Sequence, residues 1–300
     1  MGNSDTTPAS RPRTGDCQTS KSDNVPNVTL RTGDLVILGN GELIRLDSQM
    51  RPTTIASDGF LTEARGVVVD RNGQIFITAL ACTERKGAVV RVDPLTGTQT
   101  PVVTVFKRPM GLVFDSDGQL LVGDEIAQRG VWGRLYRVNL KHHTAEVIAE
   151  FPPPNGVHSI AIYPGSFDIY AADGVVQRID KQNPNTPFRV EVEGLQSAQA
   201  LAISPSGEIF IGDHNRGSLF QAKRGDRQPL KIINNGAFRT FWSLAIANDE
   251  KSLFVSSGTA LGGVYQVSLP LDNNPPNLVW RSTHSGSGMV FVTLVKLEEQ

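Results

Sequence analysis

Along most of the chain, apolar residues fall in runs of five or six, continuous or alternating, and each run is closed by Asp, Asn, Ser or Gly. No stretch carries apolar positions at a helical period over ten or more residues, so the pattern predicts strands. The runs also recur. "RGVVVDRNGQIFITA" from Arg65, "MGLVFDSDGQLLVGD" from Met110, "HSIAIYPGSFDIYAAD" from His158, "QALAISPSGEIFIGD" from Gln199 and "WSLAIANDEKSLFVSS" from Trp242 are variants of one phrase: strand, tight polar turn, strand. Its equivalent positions Gly66, Gly111, Ser159, Ala200 and Ser243 stand 41 to 48 residues apart. Such a period belongs to propeller blades or to helical solenoids, and the strand patterning selects the propeller.

After each pair comes a third alternating run, "LIRLD", "VVRVD", "LYRVN", "VQRID", "LFQAK" or "VYQVS", with a less regular fourth behind it. Four strands per unit and six such third strands predict an all-β, six-bladed β-propeller of four-stranded blades. Only five units begin with an inner strand. The first, "GDLVILGNGELIRLDSQMRPTTIAS" over 33–57, supplies strands two to four, and "SGMVFVTLV" over 287–295 lies in phase to supply the missing one. The ring is therefore expected to close by pairing the C-terminal strand with the first blade, leaving no open edge inside it. Residues 1–27 hold almost no large apolar side chains, so they are expected to form a disordered polar tail ahead of a single propeller over 28–300.

In the turns, Asp70 with Gly73, Asp93 with Gly97 and Asp115 with Gly118 read as structural, because Asp accepts backbone hydrogen bonds and Gly takes positive φ. With 29 Lys and Arg against 30 Asp and Glu, the net charge of −1 gives no electrostatic footprint for nucleic acid or an anionic membrane. No run reaches the length of a spanning helix, and the N-terminus lacks the apolar core of a secretory signal. The two cysteines, Cys17 and Cys82, form no disulfide framework or metal spacing, so a reducing cytoplasm is the expected location.

The phrase P-x-G-L-x-x-D-x-x-G-x-L-x-V-x-D over 109–124, with R-V-D-P-x-T-G over 91–97, resembles the NHL-repeat propellers and their relatives in the SMP-30/gluconolactonase and strictosidine-synthase-like group. The resemblance covers 33–300. It implies a small-molecule enzyme, hydrolase- or lactonase-like, lyase-like or cyclase-like and of the kind found in natural-product biosynthesis. The alternative it leaves open is a non-catalytic platform for a protein or peptide partner.

That architecture places inner-strand starts and second-strand ends on one face, around the mouth of the central channel. Arg65, Met110, His158, Gln199, Trp242 and Ser287 would begin inner strands. Thr78, Asp124, Glu125, Asp173, Asp213, His214 and Ser257 would end second strands, and Cys82, Trp132 and His284 would lie in loops on that face. His158 or His214 is the expected general base, with Asp213 to orient it. Arg65, Met110, Asp124, Glu125, Trp132, Asp173, Gln199 and Trp242 are the expected substrate contacts. Asp124, Asp173 and Asp213 also read as acceptors for backbone N–H groups in the following turn. One divalent cation is a further expectation. His158, His214 and His284 would suit zinc, as in the propeller lyase of the peptide-amidating family. Glu63, Asn155 and Asp213 would suit calcium, as in gluconolactonases, although the Glu-x-Pro context of that family is replaced here by "TEARG". His142 and His143 belong on the opposite face.

Overall fold

The computed structural model describes residues 18–22, 27–83, 86–128, 130–153, 156–166, 168–180, 189–226, 231–233, 238–258, 262–271, 274–282 and 289–298. Alternating apolar runs pair there into six antiparallel sheets, each a meander from an inner to an outer strand. Blade two is Ala64–Val69, Ile75–Thr83, Lys86–Val92 and Thr98–Phe106; blade three is Pro109–Phe114, Leu120–Gln128, Val131–Asn139 and Thr144–Phe151. Blade four is Ser159–Ile162, Ile169–Asp173, Val175–Ile179 and Arg189–Val192, and blade five is Ala198–Ile203, Glu208–Asp213, Ser218–Lys223 and Lys231–Ile233. Blade six is Ser243–Ile246, Ser252–Ser257, Gly263–Ser268 and Asn277–Arg281.

Blade one combines the two ends of the domain. Val290–Leu294 pairs with Leu35–Gly39, which continues into Glu42–Leu46 and Pro52–Ser57. Leu35 faces Leu294, Ile37 faces Val292 and Gly39 faces Val290, so the register matches the apolar alternation of both segments. Each inner strand touches the next, and the strand Val290–Leu294 touches those of blades six and two, which closes the ring. Val290, Phe291, Val292 and Val295 are buried. At about 1.5–3 kcal/mol for each large apolar side chain, an upper bound, this burial approaches the net stability of a whole domain, about 5–15 kcal/mol. Beside it, buried Asp34 accepts from the Arg45 guanidinium at 2.6 Å and from the Arg31 backbone N–H at 2.8 Å.

The apolar core is divided by blade. Ile75, Ile77 and Val90 of blade two pack against Leu38, Leu43 and Phe291 of blade one, and the other face of blade two packs Phe76 and Val89 against Leu120, Val122 and Tyr136 of blade three. Continuous apolar runs are explained by this arrangement, since both faces of a blade are covered.

Two details depart from the sequence expectation. Ser20–Lys21 adds a fifth strand to the outer edge of blade two, opposite Gln99 and Thr98. The hydroxyl of Ser22 donates to the Ser57 carbonyl at 2.7 Å and accepts from the Ser57 N–H at 2.8 Å. Order therefore replaces the expected disorder over 18–22; a strand ladder uses backbone groups, and the buried Ser22 hydroxyl adds two bonds, so an exposed edge can hold a segment without large apolar side chains. The second difference concerns blades two and three. Their second strands run on to Thr83 and Gln128, past bulges after Ala79 and Glu125, so that two hairpins project from the mouth face. Among the described residues, no helix is long and apolar enough to cross a membrane.

Candidate functional site at the channel mouth

Glycine sets the position of His158. The inner strands of blades three and four approach closely where Gly111 donates its N–H to the His158 carbonyl at 3.0 Å. A Cβ on Gly111 would stand 2.6 Å from that carbonyl oxygen, so any larger residue would force the strands apart. The His158 N–H donates in turn to Ala172 of the second strand of its own blade. With its backbone held from both sides, the imidazole reaches Glu125, whose Oε2 lies 3.8 Å from Nε2. Glu125 Oε1 accepts from Arg108 at 3.0 Å. Burial lowers the pKa of His158 below 6.5; Glu125 opposes that shift, while Arg108 and His214 reinforce it. The side chain is thus a neutral base at neutral pH, with a carboxylate placed to stabilise its protonated form.

The channel below is a cavity of about 140 Å³ walled by inner strands, with His158, Trp242 and Phe291 in its lining. The His214 ring packs edge-on against Trp242 at 5.3 Å, and Trp242 packs against Phe291 at 6.3 Å. Trp242 Nε1, Gln199 Oε1 and Arg65 Nε are shielded from solvent and have no hydrogen-bond partner among the described residues. Buried polar atoms are normally satisfied, so three such atoms on mouth residues mark a place where polar groups are held ready.

A second hollow of about 300 Å³ lies on the same face, at the seam between blades one and two. It is lined by Gly39–Gly41, by Leu61–Arg65, and by Leu38, Met289 and Phe291. Phe291 belongs to both hollows. Burial pulls the Arg65 guanidinium below its ordinary pKa, Arg108 adds to this, and Glu63 and Glu125 oppose it.

Two of the three aspartates expected at second-strand ends, Asp124 and Asp213, act as the acceptors for backbone N–H groups that the sequence also suggested. Asp213 is fully buried, and its carboxylate accepts from the backbone N–H groups of Gln196 at 2.7 Å and Ser197 at 3.1 Å. Asp124 is 1% exposed and does the same for Lys107 and Arg108. Burial pushes the Asp124 carboxyl up while those two donors pull it down. Neither carboxylate reaches the channel, because each is enclosed by the loop it anchors. With both carboxylates engaged there, the orienting role expected of Asp213 and the substrate contact expected of Asp124 gain no support from this geometry. Ser257 does equivalent work by accepting from the Arg239 N–H, whereas Thr78 donates across to the Met110 carbonyl in the inner strand of blade three at 2.6 Å. Met110 is buried and lines neither hollow.

Trp132 lies on the projecting hairpin of blade three, 39% exposed. His284, Ser287 and Asn155 lie outside the described residues, and so do the side chains of Asp173 and Cys82. Among the described residues, no three His, Cys, Asp or Glu side chains converge as metal ligands. Of the expected calcium ligands, Asp213 is engaged by backbone donors and Asn155 lies outside the described residues. Arg108 was missed by sequence reasoning. The signal was present in "KRPMG", a cation two residues ahead of an inner-strand start.

No family model matches the chain, and no curated protein matches its sequence. Solved structures do. The chain is similar to a propeller in a nidogen/laminin complex, with a TM-score of 0.68, 13% identity, and coverage of 87% of this chain and 98% of that one. It is similar to TolB from Acinetobacter baumannii, with a TM-score of 0.66, 15% identity, and coverage of 87% and 66%. A protein of unknown function from Bacteroides caccae gives a TM-score of 0.61 at 11% identity, covering 88% and 100%. At such identities the likeness establishes the propeller and carries no chemistry.

Proposed function

We propose that the protein is a small-molecule enzyme of the NHL and gluconolactonase-like kind, working at the channel mouth with His158 as general base. The observation that carries this reading is the row Arg108–Glu125–His158 opening onto a channel whose rim holds shielded, unpaired polar atoms. A neutral imidazole takes a proton from water or from a substrate O–H or C–H, and Glu125 stabilises the imidazolium that results. Arg65, Gln199 and Trp242 supply hydrogen bonds to orient the substrate, and His214 holds the Trp242 ring. A hydrolase or lactonase needs only such a base and an activated water. No step of this reading is routed through a divalent cation.

The test is a panel of lactones and esters screened for turnover. On any substrate found, His158→Ala should lower kcat by about 10² or more, the scale of a lost acid–base group. Changing His142 and His143 to Ala together, on the opposite face, should leave kcat unchanged. Full turnover by His158→Ala would reject the reading. The second reading, a protein-binding platform, is favoured by the projecting hairpin with exposed Trp132 and by a similar propeller occurring within a complex of two proteins. It predicts that Trp132→Ala weakens a partner while His158→Ala does not.

A further inference from the structure

We propose that the seam cleft recognises the carboxylate of a monoanionic organic acid through Arg65, with the apolar body of the acid against Leu38, Leu61 and Phe291. The inference rests on the mouth reading, since Phe291 lines both hollows and places an acid bound in the cleft beside the channel that holds His158.

Arg65 sits in the inner strand of blade two, and its guanidinium is half-shielded by the seam. Its Nη1 donates to the Met289 thioether at 2.7 Å, and its Nε is enclosed without a partner among the described residues. Glu63 and Glu125 act on it through their charge, yet neither forms an ion pair with it among the described residues. A thioether is a weak acceptor, so the guanidinium has given up water for little in return. The Nε and Nη2 edge of the guanidinium is the fork that suits a planar two-oxygen anion, so a carboxylate there would give Nε the acceptor it lacks. A rotation of Arg65 off Met289 presents that fork to the cleft.

The remainder of the lining narrows the ligand. Leu38, Leu61 and Phe291 are buried apolar walls, which favour an organic body over an inorganic ion. Glu63 lines the same cleft, so Arg65 and Glu63 leave it with no net charge. A single negative charge completes Arg65, whereas a dianion would also face the Glu63 carboxylate. A volume of about 300 Å³ is the small end of ligand pockets and suits an aromatic or short aliphatic acid.

The experiment titrates the full chain with phenylacetate, with its neutral amide phenylacetamide, and with phenyl phosphate, followed by calorimetry or ligand-detected NMR. Phenylacetate should bind at least about tenfold more tightly than the amide, as expected for a charge-assisted hydrogen bond. Arg65→Gln should lose that difference, and Glu63→Gln should admit phenyl phosphate, which the parent protein excludes. His158→Ala should keep phenylacetate binding, so Arg65-dependent binding without His158-dependent turnover would sink the mouth reading and leave the cleft intact. Equal binding of acid and amide by the parent protein, or no binding of the acid, overturns the inference without any variant having to fold. Tighter binding of phenyl phosphate than of phenylacetate by the parent protein overturns the monoanion.

Discussion

The two faces of the disc are built by the same strands and differ in how their polar groups are settled. On the face opposite the mouth, Asp70 Oδ1 accepts from the N–H groups of Asn72 and Gln74, and Asp115 Oδ1 accepts from those of Asp117 and Gln119. In blade five a serine takes the place of the aspartate, and Ser204 Oγ still accepts from the Glu208 N–H. The turn chemistry is repeated from blade to blade. On the mouth face the corresponding positions carry Thr78, Asp124, Asp213 and Ser257; the last three hold the loop ahead of their own inner strand, and Thr78 instead ties blade two to the inner strand of blade three. Beyond them, Arg65, Gln199 and Trp242 keep shielded polar atoms unpaired. Repetition with every group satisfied marks scaffold; departure with groups left waiting marks the surface that meets a ligand.

The largest test of this contrast is removal of the strand that both faces share. Truncation before residue 289 takes the inner strand from blade one and opens the ring. It should abolish cooperative unfolding and leave a state that binds hydrophobic dyes. A truncated chain with a cooperative melt near that of the parent would show that closure is not what holds the disc.

Next in size is the difference between anchors. Asp213→Ala leaves the N–H groups of Gln196 and Ser197 facing a buried cavity and should cost about 1–3 kcal/mol, read from denaturant unfolding. Asp70→Ala, at an exposed turn where water replaces the lost acceptor, should cost less, about 0.5–1.5 kcal/mol. The reverse order would break the distinction between a loop anchored under the mouth and a turn on the far face.

The smallest effect is a shift in pH dependence. Burial holds the pKa of His158 below 6.5, so the acid limb of kcat/KM should fall below that pH. Glu125 raises the pKa, and Glu125→Gln should therefore move the limb further toward acid. The same group contributes to stability. Its folded pKa lies below the unfolded one, so the unfolded chain binds more protons between them, and stability is lost as pH falls from 6.5 through that window. His158→Gln should flatten this loss, and an unaltered acid profile in that variant would mean that another group titrates there.

Blade count, strand order and the pairing of the C-terminal strand with blade one were determined by the sequence alone. They rest on a repeated apolar alternation whose phase survives in "SGMVFVTLV", and a one-residue slip would turn every buried side chain outward. The face that His158, Gln199 and Trp242 share was legible for the same reason, since repeat equivalence places them at one level of the ring. Their roles were not. Asp213 read both as chemistry and as a backbone acceptor, and the tertiary structure selected the acceptor while bringing His158 to Glu125. The two partners stand in different blades, 33 positions apart in the chain, and no local pattern records a contact made by the packing of one blade on the next. The strand at Ser20–Lys21 escaped notice for a related reason, because a backbone ladder on an outer edge leaves no mark in hydrophobicity. Periodicity records what each strand buries, and it is silent on the pairings that depend on where a loop turns.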